Sequence, residues 1–332
     1  MLRIFCAVWT VIILGYSLCF GQNVTPMDAY CNKMDQSFKK YGWGDSGCHS
    51  FSWKHVRNSV LGDPLPWVVF GTESNKETTI IFCGTHGDEI TPVKFCFDIM
   101  TNLKTNPELY QNRTVLVAPL VSPDSFFKKR PTRTNAHKVD INRNFPTQDW
   151  SANALKYWST RYRKDPRRFP GLKPLSEPEV LFQINLLIRY SPSKIISVHA
   201  PLTMLDYDGP KDLELDSGKI GEGAKELLIQ MGQKANGYRI VNFPVYPGSL
   251  GNYAGNERHI PTYTLELPSS DPAKSEEYWK LFRTAIDEAI HKDLSKKIGQ
   301  DTEVTSAPKG VAMDAKDQEN KSTADSSKPI TH

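Results

Sequence analysis

Two polar residues follow a continuous apolar run, at the point where a strand-like segment enters a glycine turn. The run covers residues 80–83 and leads through Gly84 and Thr85 to His86 and, three positions later, Glu89. In an open α/β sheet, binding sites gather at the carboxyl ends of the strands. Histidine and carboxylate are zinc ligands, and a catalytic zinc keeps three protein ligands and a water. The pair therefore predicts two metal ligands. The alternative is a turn with two solvated polar residues.

A third ligand is expected from the end of another strand. Residues 195–198 are mostly apolar and lead directly into His199. Because His86 and His199 both terminate predicted buried strands, each supports the interpretation of the other as a ligand. The sequence thus predicts one zinc ion held by His86, Glu89 and His199. The alternative for His199 alone is an imidazole whose ring is satisfied by a backbone carbonyl.

A carboxylate also lies inside an apolar, strand-like segment in the last quarter of the chain. Residues 262–267 contain Glu266 among apolar and β-branched neighbours. A buried charge is unfavourable unless it has a partner or a chemical task. Hydrolysis at a zinc site needs a general base that takes a proton from the attacking water and passes it to the leaving group. Glu266 is the predicted base, and a buried salt bridge is the alternative.

The segments that must position these residues alternate between strand-like and helix-like patterns. The predicted strands are residues 67–70, 79–83, 114–118, 194–198 and 262–267. The predicted helices are residues 92–103, a segment ending at 187, 223–233 and 276–294. Ser176 and Glu179 have the spacing of a capping box before the second of these helices. Strands separated by helices predict an α/β fold, in which helices cover both faces of a mostly parallel mixed sheet.

The composition and charge of the chain are those of an ordinary globular protein. The chain has 332 residues and a formal net charge of +4, so its charge does not indicate a nucleic-acid partner. Its length suits one large domain or two modest ones. Basic residues cluster at positions 128–130 and 161–168. These clusters either attract an anionic substrate or form solvated loops.

The two ends of the chain differ in composition from its middle. Arg3 precedes an apolar run over residues 4–20, which is the pattern of a secretory signal peptide, with an uncleaved anchor as the alternative. The last residues are polar and cannot bury enough surface to remain ordered. The predicted division is signal peptide 1–21, N-terminal extension 22–65, catalytic domain 66–297 and disordered tail 298–332. We therefore expect a secreted or periplasmic protein without a membrane partner after cleavage.

Export would place the remaining cysteines in an oxidising compartment, where disulfides persist. Cys31 and Cys48 lie in the same polar, glycine-containing segment, and a disulfide between them is plausible. Cys83 lies in an apolar strand, where a free buried cysteine is expected. With Cys96, these residues lack the paired spacing of a zinc–cysteine site.

The ordered set of candidate residues resembles the zinc metallocarboxypeptidase family. The resemblance covers about residues 66–294 and includes the segment Asp-Ile-Asn-Arg-Asn-Phe-Pro at 140–146. Within the family the chain is similar to the murein peptide amidase A subgroup. The stretches that carry this similarity are residues 133–146, 176–179, 199–202, 247–251 and 265–268. Amidases of that subgroup cut between γ-D-glutamate and meso-diaminopimelate in cell-wall peptides, and the resemblance implies this substrate class here.

The resemblance also implies roles for single residues. Arg133 matches the arginine that stabilises the oxyanion. Asn142 and Arg143 match the pair that holds the terminal carboxylate of the substrate. Asp140 matches the carboxylate that orients a zinc-binding histidine. Tyr246 matches the mobile tyrosine over the substrate, although it stands closer in sequence to the predicted base than in the digestive enzymes.

The sequence thus predicts a zinc peptidase that hydrolyses the γ-D-glutamyl–diaminopimelate bond of murein stem peptides. One alternative is an N-acyl amino acid deacylase of the aspartoacylase or desuccinylase type, which shares a similar zinc site but is usually not exported. Another is a non-catalytic module that holds wall peptides, which would not need the complete set of ligands, base and arginines. Asp206 or Asp208 is a candidate contact for the diaminopimelate amine, with a solvated loop as the alternative.

Overall fold

The computed structural model describes residues 25–73, 75, 77–210 and 222–294, so the predicted signal peptide and tail lie outside the described residues. No helix within these ranges has the length and apolar character needed to cross a bilayer. The helices and strands are, in chain order, α1 (Pro26–Tyr41), β1 (Trp53–Asn58), β2 (Pro64–Gly71), β3 (Thr78–Phe82), α2 (Thr91–Thr105), β4 (Thr114–Ala118), α3 (Pro123–Phe126), α4 (Trp150–Thr160), α5 (Pro178–Tyr190), β5 (Lys194–His199), β6 (Met204–Gly209), α6 (Glu222–Lys234), β7 (Ile240–Val241), β8 (Thr262–Glu266) and α7 (Ser275–His291).

The strands form one mixed sheet in the order β1-β2-β4-β3-β5-β8-β6-β7. The central strands β4, β3, β5 and β8 run parallel to one another. The antiparallel pairs join β1 to β2, β2 to β4 and β6 to β8. The carboxyl ends of the four central strands therefore share one edge of the sheet, and the predicted α/β class with a mixed sheet is confirmed.

Helices bury both faces of the sheet, which explains why its central strands are apolar throughout. Side chains such as Ile81 and Val117 pack on one face with residues of α2, α6 and α7. Their strand neighbours Ile80 and Leu116 point to the other face and pack with residues of α5. Successive side chains of a strand alternate between faces, so a strand buried on both faces has no polar side.

The predicted helices correspond to α2, α5, α6 and α7, with small shifts at their ends. The predicted capping box before α5 is wrong. Helix α5 begins at Pro178 with Glu177 as its N-cap, and no side chain caps it. The hydroxyl of Ser176 instead donates to Glu177 Oε1 at 2.6 Å. Proline suits the first helical position because the N–H that it lacks has no helical partner there.

The segment designated an N-terminal extension, residues 22–65, contains α1 and β1, and its end falls inside β2. Helix α1 buries Tyr30, Met34 and Phe38 in a cluster with residues of α2. Thr25 caps this helix and forms a reciprocal capping box with Asp28. The segment thus contacts the sheet through β1 and the helical layer through α1.

Within the described residues, two disulfides join pairs of cysteines. Cys31 of α1 is bonded to Cys48, as was considered plausible from the sequence, with a Cα–Cα distance of 5.3 Å. Cys83 is bonded to Cys96 of α2, with a Cα–Cα distance of 6.3 Å, so the expectation of a free buried cysteine at Cys83 was wrong. The bond can form because α2 packs over the end of β3, which places Cys96 beside Cys83.

Replacing Cys31 and Cys48 together by alanine is expected to lower the free energy of unfolding by about 3 kcal/mol, because the bond closes a loop of intermediate length. The two residues are separated by 17 positions. Urea unfolding followed by circular dichroism measures the change. Because α1 lies outside the cleft described below, kcat should be unchanged. A stability equal to that of the parent would show that this bond does not constrain the unfolded chain.

Candidate active site

Both candidate histidines stand at the shared edge of neighbouring parallel strands. His199 is the last residue of β5, and His86 follows β3 by four positions. The turn that joins β3 to His86 is tightly packed. Gly84 has φ of +60°, and a Cβ at Gly87 would lie 2.3 Å from the carbonyl carbon of Ser125. The two glycines therefore let the chain turn sharply and bring His86 back over the sheet edge.

The structure brings His86, Glu89 and His199 together in one buried group. Their potential ligand atoms all lie within 4.8 Å of one another. Glu89 contacts His86 Nδ1 through Oε1 and His199 Nδ1 through Oε2, each at 2.8 Å. Two imidazoles and one carboxylate make the donor set of a catalytic zinc site. The three residues therefore fit a zinc ion, the metal that the sequence predicts for them.

The outer nitrogens of both rings have their own partners. His86 Nε2 donates to Asp140 Oδ1 at 3.0 Å, and His199 Nε2 lies 2.9 Å from Ser197 Oγ. A carboxylate only accepts, so the proton of this pair belongs to Nε2 of His86. Nδ1 of each ring faces Glu89 and is the atom directed into the group. Such outer contacts fix the orientation of a metal-binding histidine.

Opposite charges are concentrated around the group. Burial opposes ionisation of Glu89, yet His86 and His199 hold the pKa of its carboxyl well below its usual range. Burial likewise opposes ionisation of Asp140, but Arg133 and His86 keep its pKa well below the usual range. Both carboxylates are therefore ionised near neutral pH. The group offers negative charge in a low-dielectric setting, which favours a cation.

Arg133 lies beside the group and connects its two carboxylates. Its Nε donates to Asp140 Oδ2 at 2.9 Å, and its Nη1 donates to Glu89 Oε1 at 3.1 Å. Its Nη2 has no hydrogen bond to another described residue. Burial works against the charge, but Asp140 and Glu89 raise the pKa of Arg133. The guanidinium is thus fixed in place with one nitrogen available to a ligand.

Asn142 and Arg143 follow Asp140 in a short 3₁₀ turn. Asn142 Oδ1 accepts from the backbone N–H of Leu250 at 2.8 Å. Arg143 is only 8% exposed, and its Nη1 donates to the carbonyl of Asn142 at 2.6 Å. Its Nε is buried and has no partner. The guanidinium carbon lies 4.5 Å from the ring centroid of Tyr246. An unpaired buried N–H of this kind is unfavourable unless a ligand satisfies it.

Glu266 ends β8, directly opposite His199 of β5 in the sheet register. The residue is 8% exposed, and its Oε2 accepts from the backbone N–H of Leu202 at 3.2 Å. It forms no ion pair with any described residue, so a buried salt bridge does not account for it. Burial raises the pKa of its carboxyl. A carboxyl of this kind is better suited to exchange a proton than an ordinary surface glutamate.

One cleft with a volume of about 440 Å³ is lined by the candidate metal ligands, base and substrate-binding residues, whereas Asp140 lies buried behind it. The wall of the cleft includes Arg167 of the basic cluster at 161–168 and members that the sequence did not single out, namely Asp88, Tyr162 and Ser197. Arg167 Nη1 donates to Asp88 Oδ2 at 2.6 Å across its rim. Of these, Ser197 was open to prediction, because it stands two positions before His199 and therefore shares its strand face.

Two aspartates of β6 also line the cleft. Asp206 is buried, and its Oδ1 accepts from the backbone N–H of Phe243 at 2.9 Å. Asp208 accepts a hydrogen bond from the hydroxyl of Thr264. Neither forms an ion pair with a described residue. Burial, together with the charge of Asp208, raises the pKa of Asp206 to about 8. The solvated loop considered from the sequence does not describe these residues, which lie in a strand.

Comparison with known proteins identifies a family and relatives to which this chain is similar. A family model described as zinc carboxypeptidase matches residues 49–289. Murein peptide amidase A of Vibrio campbellii is 35% identical over 214 residues, covering 63% of this chain and 77% of that protein. Murein peptide amidase A of Escherichia coli K12 is 31% identical over 229 residues, covering 68% of this chain and 85% of that protein.

A solved structure gives the same picture at the level of the fold. The murein-tripeptide amidase of Escherichia coli O157 superimposes with a TM-score of 0.50 and 28% identity, covering 71% of this chain and 92% of that one. The family resemblance inferred from the motifs is thereby confirmed, and with it the prediction of a hydrolytic enzyme. The family match spans every candidate residue described above. This chain belongs to the zinc carboxypeptidase family.

Proposed function

We propose that this protein hydrolyses the γ-D-glutamyl–diaminopimelate bond of murein peptides, using one zinc ion held by His86, Glu89 and His199. The observation that carries the proposal is the burial of these three side chains together at the sheet edge, beside the carboxyl of Glu266, which has no ion pair with a described residue. The substrate class is supported by the two murein peptide amidases to which the chain is similar. When bound, zinc supplies an acidified water and polarises the scissile carbonyl.

Glu266 acts as the general base in this proposal. It stands across the sheet register from His199 and has no ion pair with a described residue that would hold its charge. Because burial raises the pKa of its carboxyl, it accepts the proton of the attacking water and then releases that proton to the leaving amine. The hydrogen bond from Leu202 N–H holds the carboxyl in one orientation for both proton transfers.

The arginines of the cleft bind the charges of the substrate. The free Nη2 of Arg133 donates to the oxygen that becomes negative as the carbonyl is attacked. The unpaired Nε of Arg143 binds the terminal carboxylate, next to Asn142. Tyr246 covers this guanidinium at 4.5 Å and lines the cleft beside it. A planar guanidinium binds a carboxylate through two parallel hydrogen bonds, which also fixes the direction of the substrate.

Asp206 and Asp208 select the residue that is released. Diaminopimelate carries a second ammonium group at the far end of its side chain, and the carboxyl groups of the buried Asp206 and the half-buried Asp208, which have no described cation partner, complement it. A Cβ at Gly251 would lie 2.4 Å from Asp208 Cβ, so the backbone of Gly251 closes over this aspartate. The cleft therefore combines anion-binding arginines with cation-binding aspartates.

Replacing Asp206 and Asp208 together by asparagine is expected to lower kcat/KM for γ-D-glutamyl peptides that end in diaminopimelate by about 10- to 100-fold, the effect of losing a hydrogen bond to a charged group. The matched substrate is γ-D-glutamyl norleucine, which has no side-chain ammonium and should lose little. Steady-state kinetics on both substrates provides the comparison. An equal loss on both would show that the aspartates do not recognise the amine.

A substrate panel tests the proposed function as a whole. We expect kcat/KM for murein tripeptide to exceed that for N-acetyl and N-succinyl amino acids when the zinc-loaded protein is assayed on all three. Hydrolysis of the N-acyl amino acids alone would replace the proposal by a deacylase. Tight binding of tripeptide that stays uncut over long incubation would replace it by a binding module.

We further propose that the enzyme works outside the cytoplasm, as a secreted or periplasmic protein. The disulfides Cys31–Cys48 and Cys83–Cys96 support this location, because such bonds persist in oxidising compartments. Cell fractionation followed by immunoblotting tests it. Recovery of the protein in the cytoplasmic fraction, with reduced cysteines, would contradict the proposed location.

A further inference from the structure

The loop between Arg133 and Asp140 is closed by its own backbone. Asn135 N–H donates to the carbonyl of Val139, and Lys138 N–H donates to the carbonyl of Asn135, each at 3.0 Å. Lys138 has φ of +63°, which allows the chain to reverse direction there. The reversal brings Arg133 Nε to Asp140 Oδ2 at 2.9 Å. The position of the Arg133 guanidinium thus depends on the geometry of this loop.

Asn135 is the centre of the loop, and its side chain is 1% exposed. Its Oδ1 accepts from the backbone N–H groups of His137 and Val139, each at 3.1 Å. Its Nδ2 donates to Glu177 Oε2 at 2.7 Å and to Glu179 Oε2 at 3.0 Å. An amide side chain has two donors and two acceptor sites, and Asn135 uses all four.

Glu177 and Glu179 connect the loop to helix α5. Both glutamates are buried, and neither side chain caps the helix. Glu177 also contacts His137 Nδ1 at 2.8 Å. Burial raises the pKa of Glu179 to about 7, so the pair need not carry two full charges at neutral pH. Two buried carboxyls at the start of a packed helix are unfavourable unless they have a task.

We infer that Asn135, held by Glu177 and Glu179, is a positioning residue that fixes Arg133 for catalysis. The inference rests on the proposed function, in which Arg133 stabilises the oxyanion. Helix α5 packs against the sheet. Because the two glutamates at its start accept hydrogen bonds from Asn135, they hold Asn135 and its loop in place relative to the helix. Asp140 has separate supports, because its N–H donates to the carbonyl of Phe169 at 2.8 Å. The loss of Asn135 therefore acts mainly on Arg133.

The test is a double-mutant cycle between Asn135 and Arg133. We expect N135A to lower kcat by about 10- to 100-fold, as for other residues that orient catalytic groups, with KM and zinc content nearly unchanged. In the R133A background, N135A should have no further effect on kcat, because the residue through which it acts is gone. The matched control is N102A, which removes an asparagine–aspartate hydrogen bond of 3.0 Å between α2 and α7 and should leave kcat unchanged.

The outcomes separate this inference from the proposed function. Full activity of R133A would overturn the assigned role of Arg133. Loss of activity in R133A with full activity in N135A would overturn the positioning role alone. An equal effect of N135A in both backgrounds would also overturn it, because a purely structural effect does not depend on Arg133.

A second pair of variants applies if N135A does not fold. N135D keeps the acceptors of the loop but faces Glu177 and Glu179 with a carboxylate, so kcat should fall. In N135D/E177Q the glutamine amide donates to the new aspartate, which restores one hydrogen bond in the opposite direction. We expect kcat to recover in the double variant. Full activity of N135D, or no recovery in N135D/E177Q, would overturn the inference.

Discussion

Replacing Glu266 by glutamine is expected to lower kcat by about 10²–10⁴-fold, which is the usual contribution of a general base. Glutamine has nearly the same shape as glutamate and keeps a carbonyl oxygen for the N–H of Leu202, so the fold and the metal site should persist. Because Glu266 handles a proton and binds no part of the ground-state substrate in our proposal, KM should change little. Steady-state kinetics on murein tripeptide measures the effect.

The control for this variant is E108Q, which removes the charge of an exposed glutamate that does not line the cleft. Its kinetic constants should equal those of the parent. Zinc content must be measured in E266Q to show that lost activity does not reflect lost metal. A fully active E266Q with normal zinc content would contradict the assignment of the base.

Replacing His199 by alanine is expected to remove stoichiometric zinc and to lower kcat/KM by about 10³-fold or more, since metal catalysis contributes several kcal/mol to the reaction. His199 supplies one of the three donors. Its loss would also leave the carboxylate of Glu89 without the ring nitrogen that it contacts. Elemental analysis gives the zinc content, and kinetics on murein tripeptide gives the activity.

Chelation of the parent protein should have the same effect on activity, and added zinc should restore it. The variant H291A is the matched control, because His291 is an exposed histidine at the end of α7. It should retain one zinc per chain and full activity. Parent-like zinc affinity in H199A would show that the metal is bound elsewhere.

The parts of the site that the sequence revealed share one physical signal. His86, His199 and Glu266 are polar residues at the ends of apolar strands, and parallel strands place such ends at one edge of the sheet. The order of the strands is not contained in that signal. It is the adjacency of β3, β5 and β8 in the sheet that makes the three residues neighbours.

Other features depend on contacts that local patterns do not encode. Strand β6 was not predicted, because aspartate is uncommon in strands and this strand contains Asp206 and Asp208. Helix α1 was assigned to an extension of unspecified structure, although it buries an aromatic and sulfur-containing face against α2. The bond between Cys83 and Cys96 requires α2 to lie over the end of β3, which only the folded chain shows.

The capping box illustrates how a correct motif can receive the wrong structural explanation. Residues 176–179 match the spacing of a capping box, but no side chain caps the helix, and the carboxyls of Glu177 and Glu179 accept from Asn135. Asn135 and Glu177 are 42 positions apart in the chain. A contact over that separation is set by the packing of α5 on the sheet, so it cannot be read from the local sequence.

The central claim is that zinc at His86, Glu89 and His199 directs the hydrolysis of one peptide bond, and mass spectrometry of the products tests it most directly. Purified L-alanyl-γ-D-glutamyl-diaminopimelate is incubated with the zinc-loaded protein and, in parallel, with E266Q. We predict free diaminopimelate and the L-alanyl-D-glutamate dipeptide with the parent, and intact tripeptide with the variant. Intact tripeptide with the zinc-loaded parent, or cleavage at the L-alanyl bond, would contradict the claim.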